Sequence, residues 1–131
     1  MRARRVVLAR RGPAPAVHRD DLSLHTEPYA DDVMIVTVTG EIDLLTAPAL
    51  ARAIATQRRP VLVLDLRSVR FLAAKGLSVL LNAALEAAAN GRAFGVVLAP
   101  GPTTRVMAVS GLTTAIPTYT TVGAAVRDLR E

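Results

Sequence analysis

The strongest constraint on this chain is a change of hydrophobic period between residues 61 and 88. Val61-Leu62-Val63-Leu64-Asp65-Leu66 is an almost unbroken apolar run, which predicts a strand covered on both faces or paired centrally. Soon after it, Leu77, Leu80, Leu81, Ala84, Leu85 and Ala88 fall at i, i+3, i+4, i+7, i+8 and i+11. That spacing draws one apolar face along a helix, and Asn90-Gly91 supplies its stop. A buried strand handed on to an amphipathic helix is the building unit of a layered α/β domain.

The rest of the chain repeats the alternation. Leu22-Ser23-Leu24-His25-Thr26 alternates apolar and polar, the pattern of a half-buried edge strand. Asp31-Asp32 marks a turn, Val33 to Thr39 reads as a second strand, and Gly40 is expected to end it. Thr46 is placed to cap a short helix with Pro48 in its first turn, and Arg58-Arg59-Pro60 breaks that helix. Phe94 to Ala99 is expected as a buried strand, Thr103 to Ser110 as a helix, and Ala115 to Tyr119 as a strand held to an end or edge by Pro117. Thr121 then caps a last helix in which Val122, Ala125, Val126 and Leu129 share a face. The order is β-β-α-β-α-β-α-β-α, a mixed sheet of four to five strands packed by about four helices.

Charge separates a tail from this domain. Of 15 arginines and one lysine, six arginines lie in residues 1–20 with one acid, Asp20, so the formal net charge of +5 resides there. With Gly12-Pro13-Ala14-Pro15 in the same stretch, residues 1–20 read as a disordered arginine-rich tail and residues 21–131 as a single domain. Specific nucleic-acid binding is not expected of a domain whose own charges balance. At 131 residues, without cysteine and without an apolar run near the roughly 20 residues of a membrane span, the chain reads as soluble and cytoplasmic.

A catalytic set is absent from the sequence. His18 and His25 have no carboxylate at metal-ligand spacing and read as solvated side chains, and no glycine-rich phosphate loop precedes a helix. Neither enzyme activity nor a cofactor is expected.

Val36-Thr37-Val38-Thr39-Gly40-Glu41-Ile42-Asp43, with Thr46-Ala47 and Leu50, resembles the opening signature of STAS domains. Leu62 to Leu66, Val69, Phe71 and Gly76-Leu77-Ser78-Val79-Leu80 are similar to that family's central strand and next helix, and Gly111-Leu112 to a later helix end. The resemblance spans about residues 22–130. It implies the STAS fold and the role of the family's bacterial anti-sigma factor antagonists. In regulated members of the family, the segment after the central strand reads Asp-Ser-Ser-Gly. The second serine is phosphorylated by a partner that is both anti-sigma factor and kinase, and this breaks the complex.

Carried over by position, those residues become Ala73, Ala74, Lys75 and Gly76, so the phosphosite position holds Lys75, the only lysine. Losing a capping side chain costs a helix roughly 0.5–2 kcal/mol, and a cation in the first turn opposes the helix dipole. Lys75 does not imitate phosphoserine, whose charge of about −1.5 to −2 has the opposite sign. Its ammonium is expected to reach Asp43, and Ser78 in the helix is discounted as a substitute acceptor. The implied partner surface is Glu41, Asp43, Leu44 and Thr46 from the segment 40–46, with Ala73, Ala74, Lys75, Gly76 and Ser78 from the loop 71–76 and the following helix.

The resemblance thus implies a regulatory protein that sequesters a kinase-type anti-sigma factor without phosphoregulation, with a homodimer left open. Two alternatives stand beside it: an accessory subunit of a stress-sensing or lipid-transport complex, and a nucleotide- or anion-sensing domain centred on Lys75.

Overall fold

The structure, a computed structural model, describes residues 6–9 and 22–131. Its elements are β1 (Val6–Ala9), β2 (Leu22–Ala30), β3 (Val33–Ile42), α1 (Ala47–Ala55), β4 (Val61–Leu72), α2 (Ala74–Ala89), β5 (Ala93–Val97), α3 (Pro102–Val109), α4 (Leu112–Ala115), β6 (Thr118–Tyr119) and α5 (Val122–Leu129). The six strands lie side by side in chain order. Only β2 and β3 pair antiparallel; every other neighbour pair is parallel.

Each face of the sheet buries its own cluster. Even-numbered residues of β3 (Met34, Val36, Val38, Ile42) join Leu62, Leu64 and Leu66 of β4 under α1, α2, α3 and α4. Val33, Val61, Val63 and Val97 point to the other face, where Ala125 and Val126 of α5 cover them. Residues 61–66 are buried throughout, as an apolar run of that kind requires. The face expected on the last helix is the one that packs, and Thr121 caps it by accepting a hydrogen bond from the Ala124 N–H at 3.0 Å.

Several details differ from the sequence expectation. Residues 6–9, inside the stretch read as a disordered tail, form β1 parallel to β2, so the sheet has six strands where four to five were expected. The other residues of that stretch, His18 among them, lie outside the described residues. β2 is therefore an interior strand, and Ser23 is buried along with Leu22 and Leu24. His25 is accordingly part-buried and not solvated, with Nε2 3.3 Å from Glu27 Oε1. The four-residue α4 is an additional helix.

The largest differences lie at the ends of β3 and β4. Gly40 does not end β3: at φ +113°, a conformation open to glycine, it carries the strand on to Ile42. β4 likewise runs past Leu66 to Leu72. Thr37 pairs with Asp65 but Thr39 with Ser68, and Gly40 pairs with Val69 but Glu41 with Phe71. Each step inserts one extra residue on β4, a bulge that shifts the inward phase from Leu66 to Val69 and then to Leu72.

Candidate functional site

The extended ends of β3 and β4 bring the residues singled out in the sequence to one end of the sheet. The Ala73 N–H donates to the Ile42 carbonyl at 2.9 Å, locking the start of α2 beside the exit of β3. The segment expected as a loop, 71–76, is hardly one. Phe71 and Leu72 belong to β4, Ala73 is a one-residue junction, and the helix begins at Ala74.

The connection from β3 to α1 is a rigid turn built on two side chains. Asp43 Oδ1 accepts the N–H groups of Leu45 and Thr46 at 2.9 and 3.0 Å. Thr46 Oγ1 accepts the Asp43 N–H at 2.9 Å and donates to the Glu41 carbonyl at 2.8 Å. Thr46 occupies the N-cap position of α1, but its side chain caps nothing there. Fully buried, it closes the turn instead, which corrects both its expected capping role and its place on a contact surface.

Gly76 is also buried. A Cβ at this position would lie 2.6 Å from both Ile42 Cγ2 and Leu72 Cδ1, so only glycine lets α2 descend onto the strand ends. Of the nine predicted contact residues, then, Thr46 and Gly76 shape the surface from beneath. Leu44, Ala74, Lys75 and Ser78 are exposed, while Glu41, Asp43 and Ala73 are partly so.

Lys75 stands at the second position of α2, whose N-cap, Ala73, offers no side-chain hydrogen bond. The expected pair with Asp43 is not formed: among the described residues no ion pair includes Lys75. Asp43 is committed to the turn N–H groups, which hold its carboxylate against the backbone. Glu41 meets Arg70 at 3.6 Å. Ser78 donates back to the Ala74 carbonyl at 3.3 Å, which ties its hydroxyl to the helix.

Two residues of this surface escaped the sequence reading. Leu45 and Phe71 are 58% and 51% exposed, and with Leu44 at 69% they put three large apolar side chains on the two segments that flank Lys75. A Leu-Leu pair in a turn just before a helix was the available signal for the first. Phe71 could not be read as exposed without knowing the bulges of β4.

The family model described as "Mlab, STAS domain" matches residues 25–120. The anti-sigma-F factor antagonist RsfB of Mycobacterium tuberculosis is 35% identical over 101 residues, 75% of this chain and 82% of that protein. The crystal structure of an anti-sigma factor antagonist from Mycobacterium paratuberculosis superposes with a TM-score of 0.79 at 35% identity, covering 88% of this chain and all of that one. The phosphorylated form of the Bacillus cell fate determinant SpoIIAA, at 20% identity, shares the fold with a TM-score of 0.62 over 82% of this chain and 99% of its own.

Proposed function

The chain belongs to the STAS-domain family, and we propose that it acts as an anti-sigma factor antagonist by binding, without catalysis and without a serine switch. The observation that carries this reading is the surface at the joined ends of β3, β4 and α2. There Leu44, Leu45 and Phe71 expose apolar side chains near the helix start where the family's phospho-acceptor would sit. Exposed apolar side chains grouped on one face mark protein contact sites. In place of the acceptor stands Lys75, with alanines before it, so residues 73–75 carry no hydroxyl. The partner in this reading is an anti-sigma factor of the kinase type, and complex formation follows the amounts of the two proteins, with no phosphate cycle.

The test is to incubate the protein with a kinase-type anti-sigma factor from the same cell, with and without ATP. A stable complex whose affinity ATP leaves unchanged is expected, with no phosphate in residues 71–78. Phosphate found in that stretch, or a complex that ATP dissolves, overturns the reading.

A further inference from the structure

Toward the end of α2 far from Lys75, the packing of α1 against α2 on the larger face of the sheet leaves a groove. Ala51 and Ala55 of α1 and Ala83 and Ala87 of α2 leave a groove of about 180 Å³ between them. The four alanines sit one helical turn apart on each helix, so two short rows face a gap that larger side chains would fill. Its apolar wall is Ile54, Val79, Leu62 and Phe94.

The mouth of this groove is basic. Arg58, Arg59 and Arg92 line it, opposed by one carboxylate, Glu86. Each arginine is oriented by the backbone. Arg58 donates to the Ala55 carbonyl, Arg59 Nε to the Asp31 carbonyl at 3.1 Å and Arg92 Nη1 to the Gln57 carbonyl at 2.9 Å. Among the described residues none of the three forms an ion pair. A guanidinium has five N–H donors, so each keeps several for another partner. Holding backbone carbonyls at the end of α1 (Ala55), in the loop after it (Gln57) and in the β2–β3 turn (Asp31) accounts for one bond per arginine. It does not explain why three unpaired cations converge on an apolar cleft.

We infer that this groove is a binding site for a small amphipathic monocarboxylate, its alkyl body among the alanines and its carboxylate on the Arg58, Arg59 and Arg92 rim. The size fits that class. The groove is somewhat larger than the roughly 150 Å³ cavity that accepts benzene and smaller than the roughly 300 Å³ at which drug-sized pockets begin. The charge selects the headgroup, because guanidinium and carboxylate pair through parallel N–H···O bonds. The basic rim lies away from the partner surface, although Val79 of the apolar wall is the neighbour of Ser78. Glu86 lies eleven positions after Lys75 on α2, about 16 Å along the helix axis.

Octanoate is the probe. Titrated into the full-length protein and followed by amide NMR, it is expected to bind saturably and to shift resonances of residues 54–59, 83–87 and 92–94. Arg92→Gln should weaken it at least tenfold, and Arg58→Gln with Arg59→Gln together by as much. Octan-1-ol and octylammonium should bind at least tenfold more weakly than octanoate. Ala83→Leu should fill the groove and abolish binding. Should that variant fail to fold, the arginine variants still decide the matter. Octan-1-ol binding as tightly as octanoate, shifts confined to other residues, or no saturation overturns the assignment.

Discussion

At residue 76 the absence of a side chain is as informative as any group on the surface. A methyl there would press on Ile42 and Leu72 at 2.6 Å, so Gly76→Ala is expected to destabilise the domain by about 1–3 kcal/mol through overpacking. Urea melts should show a lower midpoint; an unchanged midpoint would mean that the strand ends yield freely. One turn earlier the opposite change should help. Ala73 has the extended backbone of an N-cap (φ −85°, ψ 170°) and no side chain to use it. Ala73→Asp is expected to stabilise α2 by about 0.5–2 kcal/mol, seen as a raised midpoint at constant m-value. The sequence made the missing cap legible because it depends on one residue and its neighbours. It did not make the Asp43–Lys75 separation legible. The turn N–H groups of Leu45 and Thr46 already hold the carboxylate, and that competition exists only once the turn has closed.

Among the elements, the legible ones were those whose period is set by burial on a single face. α5 follows the 3.6-residue spacing of its apolar residues, and β3 follows strict alternation; α2 forms where expected, but it packs through Gly76, Leu80, Ala83 and Ala87, and Leu85 and Ala88 of the expected face are exposed. β4 beyond Leu66 was hidden because two bulges break its period of two. β1 was hidden because a four-residue apolar run sits among arginines, whose charge dominates any reading of that stretch. The turn between β3 and α1 shows how far an element's role can depart from its residue type. Thr121 caps α5 as an exposed N-cap threonine should, but buried Thr46 holds the Asp43 N–H and the Glu41 carbonyl together. Thr46→Val keeps the shape and removes both bonds. Leaving the part-buried Asp43 N–H and Glu41 carbonyl unpaired costs up to about 1–3 kcal/mol each, so this substitution is expected to cost more than Thr121→Ala, at about 0.5–2 kcal/mol. Equal midpoints for the two variants in parallel urea melts would show that Thr46 is no more than a cap.

For the molecule as a whole, the smaller face of the sheet depends on α5, the one helix packed there among the described residues, and its attachment has a pH limit. Tyr119 of β6 packs into that cluster, and its hydroxyl donates to Asp128 on α5. Burial of the ring, reinforced by the hydrogen bond to the Asp128 carboxylate and by its charge, pushes the phenol up to about 12 from its ordinary 10. Below pH 10 the phenol is protonated in both folded and unfolded chains, and the whole of its contribution is present. Between 10 and about 12 the unfolded chain releases a proton that the folded one retains. The unfolded state then binds fewer protons, and stability falls as pH rises. The Arg130–Asp32 pair ties the end of α5 to the β2–β3 turn at 3.0 Å. It is about half exposed and contributes little, roughly 0–1 kcal/mol. Alkaline loss of stability should therefore trace to Tyr119. Denaturation midpoints measured from pH 9 to 12 are expected to decline in the parent protein, and Tyr119→Phe, lacking the titrating group, should flatten the decline. A Tyr119→Phe profile that falls as steeply as the parent's would show that the alkaline weakness of the fold lies elsewhere.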